Sequence, residues 1–263
     1  MEPPERGDAD GPDGTLRALA EMLRGARSVG VVTGAGISAE SSIPTFRDAM
    51  EGLWAEFDPM TLATPEAFEA DPERVTRWYD HRRLGCLAAE PNPGHVALAA
   101  LERRVVGSGG DFWLLTQNVD GLHRRAGSER VYELHGSITR WRCTMTGRET
   151  ELGAGPLEAF PPRSAHHPEG LLRPGVVWFG EMLPGEVLEA AEEAVNACDV
   201  FLSVGTSAEV FPAAGFVVAA AARGARTGEV NLEETPVSGM VEVSVRGRSG
   251  EVLPRVMELL GEG

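Results

Sequence analysis

Four short apolar segments of this chain are each followed by glycine or polar residues that suit nucleotide chemistry. The first cluster, GAGISA at 34–39, matches the pattern G-x-G-x-x-G/A. In that pattern Gly34 permits a tight turn, Gly36 lets the backbone approach a pyrophosphate, and Ala39 allows close packing. Alone it is a weak indication of function, because glycine-rich turns after strands are common.

Three further clusters strengthen this interpretation. They are Gln117, Asn118, Val119 and Asp120 after 111–116, Gly205, Thr206 and Ser207 at the end of 199–205, and Asn231 and Glu233 at the end of 228–232. Ligands of open parallel sheets lie beyond the carboxyl ends of the strands, so we expect all four clusters at one nucleotide site. No acidic residue clearly ends the second predicted strand, which argues against an ordinary dehydrogenase domain.

The elements that must position these clusters alternate between strands and helices. Apolar runs predict strands at 28–33, 111–116, 199–205, 228–232 and 240–245, and periodicity predicts helices at 72–89, 93–104, 184–197, 211–223 and 250–260. This order is typical of an α/β fold with a Rossmann-like, doubly wound parallel sheet. We expect one domain over 15–260, with a mostly helical insertion at about 48–95 and a small irregular lobe at about 140–175.

The N-terminal segment has a different character. Residues 1–14 are rich in proline, glycine and acidic residues, which predicts a disordered tail. Thr15 is then expected to cap the first helix, whose apolar stripe includes Leu16, Leu19 and Leu23.

Composition excludes several classes of function. The 263 residues carry a formal net charge of -16, and every one of the 24 basic residues is arginine. Because both need a lysine amine, the absence of lysine excludes a Schiff-base enzyme and a Walker-A phosphate loop. The acidity argues against nucleic acid as a partner, and the absence of a long apolar run argues against a membrane. Three widely spaced cysteines predict reduced thiols in the cytoplasm.

Six motifs occur together in a fixed order, and they carry a resemblance to a known family. They are GAGISAESSIPTFRD at 34–48, TQNVDGLH at 116–123, ELHG at 133–136, RPGVVWFGE at 173–181, GTSAEVFPA at 205–213 and NLEETP at 231–236. From about Val29 to Pro254 the chain resembles the sirtuins, which are NAD-dependent protein-lysine deacylases. The resemblance implies NAD as the cofactor and acyl-lysine proteins or peptides as partners.

The resemblance also implies roles for individual residues around NAD. The loop over the phosphates and the nicotinamide ribose would comprise Gly34, Ala35, Gly36, Ile37, Ser38, Phe46 and Arg47. Gln117 and Asn118 would contact that ribose, and Val119 and Asp120 the nicotinamide carboxamide. Gly205, Thr206 and Ser207 would bind phosphate. Asn231 and Glu233 would bind the adenosine ribose, and the adenine would lie beside Ser249. Arg47 has a rationale of its own, since a guanidinium binds phosphate oxygens in a bidentate manner.

By the same resemblance, catalysis would depend on His135, with Asn118 beside it. The histidine would act as general base on the ribose hydroxyl that takes the acyl group, giving free lysine, nicotinamide and 2′-O-acyl-ADP-ribose. An imidazole suits this role because its pKa lies near working pH. The plainer alternative is a buried, hydrogen-bonded structural histidine.

The acyl group is indicated by the segments 62–68 and 77–83, which resemble the class III desuccinylase and demalonylase branch of the family. Tyr79 and Arg82 are three residues apart in a predicted helix and so share a face. A phenol and a guanidinium together make a carboxylate receptor, and Ala63 would leave room for a long acyl chain. The alternative is two ordinary polar residues on a solvated helix face.

The peptide is expected to enter as an added strand. Its backbone would pair with Gly180 and Glu181 on one side and with Glu209 and Val210 on the other. Val177 and Phe179 would line the tunnel for the acyl-lysine side chain.

The chain departs from the family at the usual structural zinc site, which needs two Cys-x-x-Cys pairs. Only Cys143 remains of the four cysteines, with Thr146 and Ser164 at two of the other positions. His166 and His167 are adjacent, and adjacent side chains seldom converge on one metal. We therefore predict no zinc. Packing through Trp141, Leu152, Leu157 and Phe160 would hold the lobe instead.

Two rival functions stay open at this point. The same ribose chemistry with another nucleophile would make the chain an NAD glycohydrolase or a mono-ADP-ribosyltransferase. A chain that has lost catalysis would be an NAD-binding sensor, although the joint presence of His135, Asn118 and Asp120 disfavours it.

Overall fold

The computed structural model describes residues 12–44 and 59–261, so Phe46 and Arg47 lie outside the described residues. The helices are α1 (Pro12–Arg24), α2 (Ala35–Ala39), α3 (Pro59–Leu62), α4 (Pro65–Ala70), α5 (Pro72–Ala88), α6 (Pro93–Gly107), α7 (Leu122–Arg125), α8 (Gly185–Ala197), α9 (Ala213–Ala222) and α10 (Ser249–Gly261). The strands are β1 (Ser28–Thr33), β2 (Asp111–Thr116), β3 (Val131–Glu133), β4 (Gly136–Cys143), β5 (Glu149–Glu151), β6 (Leu172–Val176), β7 (Val200–Val204), β8 (Arg226–Asn231) and β9 (Val243–Arg246).

Six parallel strands form the main sheet in the order β3-β2-β1-β7-β8-β9. Its strands are apolar because both faces are covered: α1, α6 and α10 contribute to one buried cluster and α8 and α9 to the other. The order reverses between β1 and β7, the topological switch point at which such sheets bind ligands. Thr33 pairs in register with Thr116 and Val204, so three strands end side by side there. The predicted Rossmann-like α/β fold is confirmed.

The first helix begins earlier than predicted. It starts at Pro12, so Thr15 is not its cap and residues 12–14 do not belong to a disordered tail. Proline is well tolerated at the first helical position, where its missing N–H costs nothing. Asp13 also accepts a hydrogen bond from Arg255 of α10 at 2.7 Å, which ties this end of the helix to the domain.

The small lobe is more regular than predicted, because β5, β4 and β6 form an antiparallel sheet. In β4 the buried Trp141 and Cys143 alternate with the half-buried Arg140 and Arg142, which is the period of a strand. Pro174 in β6 obscured the third strand, since proline is confined to sheet edges, and β6 is indeed an edge strand.

A buried ion pair of α5 fastens the lobe to the helical insertion. The Arg83 side chain is wholly buried and donates to Asp80 on its own helix at 2.6 and 2.9 Å. It also donates to the carbonyls of Gly153 and Gly155, each at 2.6 Å. Asp80 in turn accepts the backbone N–H of Leu157 at 3.0 Å. Both members of the pair are therefore satisfied by the loop that follows β5.

Apolar contacts complete the attachment of the lobe. Trp141 is fully buried, and Leu152 and Leu157 pack against the same cluster, as predicted. Phe160 lies under the Arg77 guanidinium at 4.1 Å. Within the described residues, no helix is both long and apolar enough to cross a membrane.

Candidate active site

The floor of the site is a close backbone contact at the switch point of the sheet. Gly36 donates to the carbonyl of Gly205 at 2.7 Å, and Gly34 donates to the carbonyl of Val204 at 3.1 Å. A Cβ atom on Gly36 would lie 2.7 Å from the Gly205 oxygen. The space that glycine leaves at position 36 is thus taken by the Gly205 backbone, whereas the sequence pattern explains this glycine by the approach of a pyrophosphate. Gly205 itself has a φ of +58°, which favours glycine.

Side chains after β1, β2 and β7 join above this floor. Gln117 donates to the Thr206 hydroxyl at 2.9 Å, linking the ends of β2 and β7. Asn118 donates to the Gly34 carbonyl and to the Ser38 hydroxyl, both at 3.0 Å. Three of the four predicted clusters therefore meet through direct hydrogen bonds.

Asp120 is buried at the back of this group. It accepts from the Ser38 hydroxyl at 2.7 Å and from the Leu122 backbone N–H at 2.8 Å. Burial raises the pKa of this carboxyl, and the two hydrogen bonds counteract part of the rise.

Two buried histidines lie behind Ser38, and sequence reasoning missed both. His95 is 3.4 Å from the Ser38 hydroxyl, and its ring centroid is 4.8 Å from that of His123. His123 is 2.9 Å from the Thr33 hydroxyl. Burial lowers the pKa of His95 to about 4, and burial together with His95 lowers that of His123, so both rings are neutral at pH 7. His123 is the last residue of the TQNVDGLH motif, and its place in that motif was the sequence signal that could have identified it as a site residue.

His135 follows β3 and faces the end of β2. Its Nδ1 is 3.0 Å from the Gln117 carbonyl oxygen. A carbonyl only accepts, so Nδ1 carries the proton and Nε2 keeps a lone pair. Burial lowers the pKa of His135, with the Gln117 bond opposing it, which favours the neutral ring. The imidazole is therefore oriented as a base.

The side of the site predicted to receive the acyl-lysine is here called the acyl wall, and it comprises Ala63 after α3, Tyr79 of α5, and Val177 and Phe179 after β6. The backbone N–H of Val177 donates to the His135 carbonyl at 2.9 Å, and that of Phe179 donates to the Ala63 carbonyl at 2.9 Å. Tyr79 is fully buried and accepts from the Trp178 indole N–H at 2.9 Å. The predicted residues Ala63, Val177 and Phe179 are thus joined to His135 by the chain between β6 and α8.

Arg82 lies beside this wall. Its guanidinium carbon is 5.5 Å from the centre of the Tyr79 ring and 4.7 Å from that of Trp78. Tyr79 and Arg82 therefore share one side of α5, as their spacing predicts. Burial raises the pKa of Tyr79, although the charge of Arg82 opposes the rise, so the phenol is protonated at neutral pH.

The two predicted peptide-pairing segments are partly engaged within the fold. The N–H of Glu181 donates to the Trp178 carbonyl at 3.0 Å, and the carbonyl of Val210 accepts from Ala214 at 2.9 Å. The Glu181 N–H and the Val210 carbonyl thus each have a partner within the fold, and the pairing of these segments with a peptide strand stays a prediction. Gly180 and Glu209 are both exposed.

The fourth cluster lies at the end of β8. Asn231 donates to the Glu233 carbonyl at 3.0 Å. Sequence reasoning missed the fully buried Glu229, which shapes this loop. Its carboxylate accepts hydrogen bonds from Thr235, Ser238 at 2.6 Å, Ser244 at 2.9 Å and Arg246 at 3.1 Å.

The remaining predicted residues around NAD lie near these loops. Ser207 is exposed and follows Thr206 directly, whereas Ile37 is buried in α2. Ser249 begins α10 and is 4% exposed. The next residue, Gly250, donates to the Glu40 carboxylate at 2.9 Å, so this helix start is tied to the end of α2.

A family model described as the Sir2 family matches residues 34–212, more than half of the chain. The chain belongs to the Sir2 family. The match spans the switch point, the lobe and, except for Ala213, five of the six motifs, and the resemblance to the family is confirmed.

Curated relatives of this Sir2 protein are similar over nearly their whole length. An NAD-dependent protein deacylase 2 of Pyrobaculum aerophilum is 50% identical over 240 residues, covering 91% of this chain and 94% of the relative. An NAD-dependent protein deacylase of Thermus thermophilus is 50% identical over 232 residues, covering 88% of this chain and 89% of the relative.

Solved structures agree with the fold of the Sir2 chain. A crystal structure of a Sir2 homologue in complex with NAD has a TM-score of 0.87 at 42% identity, covering 93% of each chain. A mutant Sir2 homologue in complex with 2′-O-acetyl ADP ribose has a TM-score of 0.85 at 42% identity, covering 93% of this chain and 96% of the other.

Proposed function

We propose that this Sir2 family chain, which is an NAD-dependent protein-lysine deacylase, prefers acyl groups ending in a carboxylate, such as succinyl, malonyl or glutaryl, and accepts acetyl less well. The observation that carries this proposal is the position of His135, which is hydrogen-bonded to the β2 loop on one side and to the acyl wall on the other. The names of the relatives and the acetyl ADP ribose bound to a structural neighbour support the reaction type.

The loops at the switch point fit a dinucleotide. NAD supplies the ribose carbon that receives the acyl oxygen and the hydroxyl that then takes the acyl group. Gln117 and Asn118 would hold the nicotinamide ribose. Asp120 and the Val119 backbone would receive the carboxamide, since a carboxylate has lone pairs to spare beyond two accepted bonds.

The phosphates and the adenosine would lie along β7 and β8. The phosphates would meet Ala35, Gly36, Gly205, Thr206 and Ser207, and the resemblance assigns Phe46 and Arg47 to the same cofactor loop. The adenosine ribose would contact Asn231 and Glu233, and the adenine would lie beside Ser249. The Glu229 hydrogen bonds support this assignment, because they tie the loop after β8 to Ser244 and Arg246 of β9.

His135 would act as the general base at Nε2. The Gln117 carbonyl fixes the proton on Nδ1, so the ring presents its lone pair without having to change tautomer. A lowered pKa keeps that lone pair free at pH values somewhat below the ordinary 6.5.

Replacing His135 by alanine is expected to abolish deacylation, with at least a hundredfold loss of kcat typical of general-base removal. NAD affinity, measured by calorimetry, should stay nearly unchanged. In the unmodified chain, kcat/KM should hold down to below pH 6.5, because burial shifts the protonation of the base to lower pH.

The exposed His81, replaced by alanine, is the matched control and should retain full activity. Turnover by His135→Ala within a few-fold of the unmodified chain would overturn the assignment.

The acidic-acyl preference is supported by Tyr79 and Arg82. A protonated phenol and a guanidinium can both donate to a carboxylate, and the guanidinium can do so with two N–H groups. The net charge of -16 repels an acidic acyl group at long range, so Arg82 would supply the positive charge locally.

Comparative kinetics on succinyl, glutaryl and acetyl peptides of one sequence test this preference. We expect kcat/KM to be higher for the two acidic acyl groups than for acetyl. Arg82→Met should lower kcat/KM for the acidic groups by about tenfold or more, which is the effect of losing a hydrogen bond to a charged group. Acetyl turnover should change little.

Arg77→Met, which removes the same charge from the exposed side of α5, is the control and should leave the preference intact. A higher kcat/KM for acetyl peptide in the unmodified chain would contradict the proposal.

The lobe would be stable without zinc. The Cys143 thiol receives hydrogen bonds from the Ser164 and Thr146 hydroxyls; burial alone would raise its pKa, but these bonds and two backbone amides lower it to about 7. Hydroxyls are poor zinc ligands, and this donor set does not fit the metal. His166 is 3.1 Å from the Thr150 hydroxyl, and the Nδ1 atom of His167 accepts from Glu169 at 3.2 Å.

The buried pair Asp80–Arg83 would instead hold the lobe. Arg83→Met leaves the Asp80 carboxylate buried without its cation and should lower the free energy of unfolding by about 3–5 kcal/mol. Arg77→Met loses an exposed pair with Glu73 and the ring contact with Phe160, and should cost only about 1 kcal/mol. Both are measured by urea unfolding. Metal analysis should find no zinc, and one zinc per chain would contradict the account.

A further inference from the structure

We infer that Trp178, clamped by the Arg173–Glu181 ion pair, is a positioning residue that sets the hydroxyl of Tyr79 as a hydrogen-bond donor to an acyl carboxylate bound beside Arg82. This inference rests on the proposed acidic-acyl preference and adds to it the residues on which the preference depends.

The first step is the direction of the bond between Trp178 and Tyr79. The indole nitrogen has a proton and no lone pair, so in this 2.9 Å contact the tryptophan donates and the tyrosine accepts. A phenol that accepts from one side keeps its own proton for another partner. The hydroxyl proton of the buried Tyr79 is therefore not used in the bond with Trp178. It can be donated to a carboxylate oxygen of the acyl group.

The second step is what holds the indole in place. Trp178 is buried, and the Arg173 guanidinium lies 3.2 Å from the centre of its ring. Its backbone N–H donates to the Glu181 carboxylate at 2.9 Å. Both the ring and the backbone of this residue are thus fixed by the two members of one ion pair.

The third step is the rigidity of that pair. Arg173 donates to both Glu181 oxygens, at 2.6 and 3.0 Å, and to the Val176 carbonyl at 3.1 Å. The side chain of Arg173 is only 10% exposed, so solvent screens the pair weakly. Burial would raise the pKa of Glu181, but Arg173 and the other bonds lower it, and the carboxylate is ionised at neutral pH.

Arg142 is a further, outer partner of Glu181. It donates to the two carboxylate oxygens at 2.9 and 3.0 Å from a position that is 34% exposed. Since the contacts of Trp178 are with Arg173 and Glu181, loss of Arg142 leaves them intact. This residue therefore offers a matched control.

The test is the ratio of kcat/KM for succinyl and acetyl peptides of one sequence. Trp178→Phe keeps an aromatic ring at this position and removes the N–H together with the pyrrole part of the indole. It should raise KM for the succinyl peptide about five- to tenfold, the effect of one lost hydrogen bond, and leave both parameters for the acetyl peptide within about twofold. Glu181→Gln, which loosens the clamp, should shift the ratio in the same direction. Arg142→Met should not shift it.

A double-mutant cycle separates positioning from a general packing defect. If Trp178 acts through the Tyr79 hydroxyl, Trp178→Phe should have no effect on the ratio in a Tyr79→Phe background. Equal losses for succinyl and acetyl peptides, or an undiminished effect in that background, would overturn the inference. A preference of the unmodified chain for acetyl peptide would instead overturn the proposed function, and the inference with it.

Discussion

The hydrogen bond from Gly36 to the Gly205 carbonyl, 2.7 Å long, is the contact on which the rest of the site depends. It joins the loops that leave β1 and β7 at the point where the strand order reverses. Because a side chain at position 36 would collide with the Gly205 backbone, the two loops can approach this closely only through glycine. Gln117 and Asn118 then reach across from β2 and bond to both loops.

A second chain of contacts connects this nucleotide region to the acyl wall. The His135 ring is bonded to the Gln117 carbonyl, and the His135 carbonyl accepts from the Val177 N–H. Two residues later, the Phe179 N–H donates to the Ala63 carbonyl. The base would therefore stand between two rigid surfaces. The Gln117 carbonyl sets its tautomer, and the backbone bond from Val177 ties its residue to the acyl wall. Buried histidines behind Ser38 stay neutral, so they add no charge near Asp120.

Much of the fold could be predicted from the sequence, because its signals are local. The strands at 28–33 and 111–116 were predicted to the residue, since a buried parallel strand is an uninterrupted apolar run. The loops that carry Asn118, His135 and Thr206 were found from motifs of a few residues. Contacts between distant positions left no such signal. Arg83 bonds to Gly153, 70 residues away, and the Trp178–Tyr79 bond spans 99 residues. The lobe sheet was missed because proline and glycine in β6 obscured its alternation.

The central claim is that this chain uses NAD to remove acyl groups from lysine, and nicotinamide release tests it most directly. The protein is incubated with NAD, with and without a succinyl-lysine peptide, and nicotinamide, free peptide and acyl-ADP-ribose are measured together. The account predicts release only when the peptide is present, with one 2′-O-succinyl-ADP-ribose formed for each nicotinamide. Release at the same rate without peptide would contradict it in favour of an NAD glycohydrolase. No release with succinyl, glutaryl or acetyl peptide would leave only an NAD-binding sensor.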